Sequence, residues 1–229
     1  TSGLLQRQVA NCYDDASERT DTGLVYPLQD AVTTGGLPDN ARYSGGFLFR
    51  GVDIPTGSRI ISATLQLYAV YQSGLPVNLV ISGDDTGAAQ DFYGAARNIS
   101  DRPRTSSAVS LTVPSRIAGW VNSPDLTSIV QEILDRGDWS AGNNMALLID
   151  PAPVATTYAT WASFERSPQL AARLLIRYEE PFTPTPTVTN TPTATATPTI
   201  TVTPTETMTP TATVTEPVGG RLFLPIIMR

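Results

Sequence analysis

Ile60-Ile-Ser-Ala-Thr-Leu-Gln-Leu-Tyr-Ala-Val-Tyr71 is the stretch on which the reading of the fold turns. Ala63, Leu65, Leu67 and Ala69 alternate there with Thr64, Gln66, Tyr68 and Val70. Side chains of a strand point to opposite faces in turn, so this period of two predicts a half-buried β-strand. Upstream, Phe47-Leu-Phe-Arg50 leads into it through Ile54-Pro-Thr-Gly57, a Pro-x-Gly turn.

Similar runs lie on both sides. Leu4 to Asp14 holds a first strand that ends at the acidic pair Asp14-Asp15, and Gly23-Leu-Val-Tyr-Pro-Leu28 is a second. Val77–Ser82, Met145–Ile149, Tyr158–Phe164 and Leu170–Tyr178 follow. The turn residues of 35–40 and 83–87 mark loops. One helix is expected: Ser123 as N-cap, Pro124 at the first turn, Leu126, Ile129, Val130, Ile133 and Leu134 on one face, and Gly137 as the stop. Short strands, polar turns and one short helix predict an all-β, jelly-roll-like β-sandwich.

Phe47-Leu-Phe-Arg-Gly-Val-Asp-Ile-Pro-Thr-Gly-Ser-Arg-Ile-Ile-Ser-Ala-Thr-Leu-Gln-Leu-Tyr68 resembles the core of DNRLRE-type, carbohydrate-binding-module-like β-sandwich domains. Ile99-Ser-Asp-Arg-Pro-Arg-Thr105, Pro124-Asp-Leu-Thr-Ser-Ile-Val-Gln-Glu-Ile133, Gly142-Asn-Asn144 and Ser163-Phe-Glu165 resemble later blocks of that module, in order. The likeness spans residues 9–178. It implies a secreted bacterial domain with relatives that bind polysaccharides, and it implies no reaction.

Composition narrows the chemistry. The net charge of −6 and pI near 4.6 argue against nucleic acid and against anionic membranes. Histidine and lysine are both absent, which removes a serine triad, the commonest metal ligand and Schiff-base chemistry. No Gly-x-Ser-x-Gly elbow and no phosphate loop occurs, so the expectation is no enzyme and no cofactor. Asp14-Asp15-Glu18 and Asp84-Asp85 lack EF-hand spacing and read as solvated loop acids ahead of a structural calcium site. Asp150 or Glu165 paired with a second carboxylate has the makings of a glycosidic acid/base pair, but Glu165 lies in a closing strand where an arginine partner is expected. The lone Cys12 forms no intrachain disulfide and reads as a small buried residue. Tyr68, Tyr71, Tyr93, Trp120, Trp139 and Trp161 are candidates for a sugar-stacking platform, and Asn98-Ile-Ser100 is an N-glycosylation sequon at Asn98.

After the body, every odd-numbered position from Thr183 to Thr215 is threonine, and proline recurs at Pro186, Pro192, Pro198, Pro204 and Pro210. The expected organisation is a sandwich over 1–180, an extended arm over 181–217 and an apolar strand over 218–229. Thr185, Thr187, Thr189, Thr191, Thr193, Thr195, Thr197, Thr199, Thr201, Thr203, Thr205, Thr207, Thr209, Thr211 and Thr213 are O-glycosylation candidates. In an extended chain they share one face, leaving a mostly apolar opposite face. Such an arm reaches on the order of 100 Å, against roughly 40 Å for the diameter of the body. At its end Leu222, Phe223, Leu224, Ile226 and Ile227 form a sticky strand that a neighbouring copy would bury. No apolar run is long enough to span a membrane, and the start at Thr1 fits a mature, secreted form. The leading expectation is therefore a subunit of an extracellular or cell-surface filament, a homopolymer carrying covalent glycans and assembled head to tail. The alternative is a non-catalytic carbohydrate-binding or adhesive module on a glycosylated stalk, with extracellular polysaccharide as its partner.

Overall fold

In the computed structural model, residues 2–37, 39–72, 75–153 and 156–181 are described. The Thr/Pro arm with its O-glycosylation candidates, and the assembly residues Leu222 to Ile227, lie outside the described residues. Twelve strands and one helix follow in chain order. They are β1 (Ser2–Gln8), β2 (Asp15–Arg19), β3 (Leu24–Tyr26), β4 (Ala31–Gly36), β5 (Arg42–Val52), β6 (Arg59–Gln72), β7 (Val77–Asp84), β8 (Arg104–Val113), β9 (Gly119–Asn122), α1 (Thr127–Leu134), β10 (Asn143–Pro151), β11 (Tyr158–Ala162) and β12 (Arg173–Glu179). The pairing is antiparallel throughout, in the order β1-β12-β6-β11-β4-β5-β10-β7-β8, with β2 on β5, β3 on β2 and β9 on β6. The sheet curls over itself into an all-β, sandwich-like fold.

The alternation of β6 holds: Ala63, Leu65, Leu67 and Ala69 are buried. They share one core with Trp161 of β11, Leu174 and Ile176 of β12, Phe47 and Phe49 of β5, and Met145, Leu147 and Ile149 of β10. The intervening residues of β5 and β10 are buried too. Leu48, Ala146 and Leu148 join Ala16, Ala89, Phe92 and Ile99 in a second, smaller core. Strands covered on both faces read as continuous apolar runs, which is why Phe47-Leu-Phe and Met145-Ala-Leu-Leu-Ile do not alternate. Gly46 admits this cover, because a Cβ there would stand 2.4 Å from the Phe92 ring.

Arg102 anchors the covering segment between β7 and β8. Its guanidinium donates to Asp84 Oδ2 at 2.9 Å, Asp91 O at 2.7 Å, Gln90 O at 2.9 Å and Asn98 Oδ1 at 2.9 Å, while lying 4.4 Å from the Phe92 ring centroid.

Several boundaries differ from the sequence reading. The first expected strand is β1, which ends at Gln8, and its second half is a turn over 9–14. β2, β4, β8 and β9 were not expected. The helix begins at Thr127, not at Pro124, with Leu126 at its N-cap position. Ser123 instead extends the β9 pairing: its N–H donates to Leu65 O at 2.8 Å and its Oγ accepts from Leu65 N at 3.0 Å. The expected apolar face of α1 is buried. Cys12 is half-exposed rather than buried. Among the described residues no helix is long and apolar enough to cross a membrane.

Candidate functional site

Lateral pairing brings three tyrosines together. Gly35 of β4 stands opposite Tyr43 of β5 on one side and Tyr158 of β11 on the other. Gly35 has φ of 111°, and a Cβ there would meet the Thr157 carbonyl oxygen at 2.4 Å. Glycine therefore permits the close approach and leaves a gap between the two tyrosines. Tyr26 enters from β3, where it pairs with Ser17 of β2. The result is a groove of about 510 Å³ lined by Ser17, Tyr26, Gln29, Asp30, Ala31, Thr33, Leu37, Tyr43 and Tyr158.

The polar groups of the groove are held from behind. Ser17 Oγ accepts from Thr33 N–H at 2.6 Å, which leaves its own proton to donate. Ser163 Oγ donates to Gln29 O at 2.6 Å, fixing the wall that carries Gln29 and Asp30. Burial, with Tyr26 beside it, holds the Tyr43 hydroxyl above the usual tyrosine range. The Tyr158 ring lies 5.4 Å from that of Tyr71. Burial and the hydrogen bond with Tyr71 raise the Tyr158 hydroxyl as well. At neutral pH the hydroxyls are thus neutral donors and acceptors around apolar ring faces. Such a surface suits a ligand with hydroxyls at its rim and C–H groups on its faces.

The acids Asp14, Asp15 and Glu18 are not solvated loop acids. Asp14, Asp15 and Glu18 are fully buried. Asp14 takes a bidentate ion pair from Arg50, with Nε–H donated to Oδ2 at 2.9 Å and Nη2–H to Oδ1 at 2.6 Å. Glu18 Oε2 accepts from the N–H groups of Ile99 at 2.7 Å and Ser100 at 2.9 Å. Asp15 Oδ2 accepts from Phe164 N–H at 2.9 Å, while Oδ1 has no partner. Burial, reinforced by the charges of Glu165 and Asp14 and opposed by that N–H, pushes Asp15 up to about 8. Glu165 forms no ion pair with an arginine among the described residues, contrary to expectation. Burial raises it too, with Asp30 adding to the effect. Asp84 and Asp85 pair with Arg102 and Arg136. Asp150 pairs with Arg104 at 3.0 Å and accepts from Ser44 Oγ at 2.6 Å. Among the described residues no three His, Cys, Asp or Glu side chains are grouped to hold a metal ion.

The aromatic candidates scatter. Trp139 and Trp161 are buried, their Nε1–H groups donating to Ile54 O at 3.1 Å and Thr34 Oγ1 at 2.9 Å. Trp120 is exposed on β9, but the Arg173 guanidinium lies 4.3 Å from its ring centroid and Tyr68 meets it edge-on at 5.5 Å. Tyr93 is exposed beside Tyr13. Only Tyr71 adjoins the groove, through Tyr158. The Asn98 Nδ2 that a glycan would occupy donates to the carbonyls of Asp91 and Tyr93, both at 3.3 Å. Comparison with protein-family models and with curated proteins finds no match, so the likeness to DNRLRE-type modules rests on the residues quoted for it.

Proposed function

We propose that the folded body is a non-catalytic carbohydrate-binding module of an extracellular or cell-surface protein, related to DNRLRE-type domains and carried on the Thr/Pro arm. The observation that carries this reading is the groove in which Tyr26, Tyr43 and Tyr158 surround Ser17, Gln29 and Asp30. Asp30 and the net charge of −6 favour neutral saccharides over polyuronates. The experiment is affinity electrophoresis of the full chain in gels of neutral and of uronic-acid polysaccharides. Retardation by a neutral glycan is expected, with at least a tenfold loss of affinity in Tyr43→Ala and Tyr26→Ala. Retardation equal in both variants would sink the assignment of the groove.

One observation favours assembly as a second reading. Among the described residues β8 ends the sheet and pairs only with β7. From Ser106 to Val113 it holds neither charge nor proline, the features that usually guard an edge strand. Such an edge suits addition of a strand, and the apolar Leu222–Met228 segment of a second copy has the matching chemistry. In this reading the glycosylated arm delivers that segment along a head-to-tail filament. Electron microscopy of the full chain should show filaments, and Leu224→Asp with Ile226→Asp should abolish them. Filaments that persist after truncation at Glu180 would refute this reading.

A further inference from the structure

The face of β6 opposite Ala63, Leu65 and Leu67 points away from the core. There Trp120 of β9 stands opposite Tyr68, and in the next row Asn122, Gln66 and Arg173 of β12 lie side by side. Arg177 follows along β12, opposite Ser62. The Arg173 guanidinium, 4.3 Å from the Trp120 ring centroid, and Tyr68, edge-on at 5.5 Å, hold the indole in place, yet it stays 38% exposed. Gln66 Nε2 donates to Asn122 Oδ1 at 2.9 Å. Among the described residues the Trp120 Nε1–H, the Tyr68 hydroxyl and the Asn122 Nδ2 group make no hydrogen bond. Neither Arg173 nor Arg177 forms an ion pair among them, and Glu179 at the margin is taken by Arg59. On a chain of net charge −6, this face is positive, aromatic and rich in unpaired donors.

An extended, proline-rich peptide suits such a face. Proline rings pack on an indole and a phenol, and the carbonyls of a backbone without internal hydrogen bonds accept from the donors around them. The chain carries a peptide of this kind. From Thr183 to Pro217 its only charges are Glu206 and Glu216, opposite in sign to Arg173 and Arg177. Pro186, Pro192, Pro198, Pro204 and Pro210 recur every six residues. Six is a multiple of both two and three. A β-extended and a polyproline II chain therefore both put these prolines on one face, about 19 Å apart. In the β-extended form the threonines, all at odd positions, face the other way and leave room for glycans. We propose that this outer face binds the Thr/Pro arm of a second copy, with prolines on Trp120 and Tyr68 and glutamates towards Arg173 and Arg177. An arm reaching on the order of 100 Å passes well beyond its own body of roughly 40 Å. The inference rests on the assembly reading and adds to it a contact separate from the Leu222–Met228 strand at β8.

The test uses the full chain with Leu224→Asp and Ile226→Asp, which disables the tail strand and leaves the arm. Sedimentation at rising concentration should show reversible self-association, and a synthetic peptide of residues 183–217 should compete it away. Trp139 and Trp161 are buried, so a blue shift of tryptophan emission on adding that peptide reports Trp120. Trp120→Ala should weaken the association by about tenfold or more. Arg177→Glu, at an exposed position that leaves the fold intact, should weaken it by about threefold. Monomers at every concentration, or association that Trp120→Ala leaves unchanged, would overturn the proposal. So would loss of glycan retardation in Trp120→Ala with self-association intact, which would make the face a sugar platform. Filaments of the wild-type chain are scored separately by electron microscopy, so arm docking and strand addition at β8 fail independently.

Discussion

Arg102 shows how much a single side chain carries in this molecule. Its side chain is 9% exposed, and its five hydrogen-bonding contacts span Asp84, Gln90, Asp91 and Asn98. Burial pushes Arg102 down and Asp84 up despite their pairing, so the pair does not stabilise simply by attraction. Its weight lies in what is orphaned when one partner goes. Arg102→Ala should cost about 3–5 kcal/mol in urea unfolding, because it leaves Asp84 buried without its ion pair and takes a donor from the Gln90, Asp91 and Asn98 carbonyls. Arg102→Lys should recover little of this, since a point charge cannot serve that fork of acceptors. At the groove, Tyr43→Ala should remove glycan affinity while leaving stability nearly unchanged, the reverse of the Arg102 phenotype.

At the scale of elements, α1 is joined to β8 by Glu132. Its carboxylate accepts from Ser106 N–H at 2.6 Å, Ser106 Oγ–H at 2.9 Å and Ser107 N–H at 2.9 Å. Burial raises this group, but those donors outweigh it and hold Glu132 down to about 2. A carboxyl lowered on folding contributes stability that is present above its unfolded value near 4.5 and lost as pH falls towards 2. Glu132→Gln should therefore cost about 1 kcal/mol at neutral pH, a difference that closes by about pH 2 in acid unfolding. The same contact occupies the N–H groups of Ser106 and Ser107, so the open part of the β8 edge begins at Ala108. Ser110→Lys on β8 should block strand addition at this edge, read as loss of filaments in electron microscopy, without loss of the folded body.

For the whole molecule, the core was more legible than the groove. The alternation in β6 and the turn at Pro55–Gly57 carried the fold class, because a strand's period is written in contiguous residues. β8 had the same signal, with Val109, Leu111 and Val113 alternating against Ser110 and Thr112. β4 did not, since Ala31-Val-Thr-Thr-Gly-Gly has one sizeable apolar residue. The helix was placed early by three residues because Ser123-Pro124 resembles a helix start. Tertiary pairing overrode it, Leu65 taking both backbone and side chain of Ser123. The tyrosines of the groove stand out less in sequence than the tryptophans, two of which, Trp139 and Trp161, fill the core.

What the sequence by itself determined is what depends on near neighbours and on composition. The strand and turn pattern, the apolar face of α1, the absence of histidine and lysine, and the register of threonines from 183 to 215 are all of that kind. Tertiary structure alone decided which residues met. Gly35 became a gap only because Tyr43 and Tyr158 pair on either side of it. Asp15 met the Phe164 N–H, 149 residues away in sequence, only when the β11–β12 connection closed onto β2. The raised Asp15 carboxyl arises from burial, and burial is a property of the packed chain.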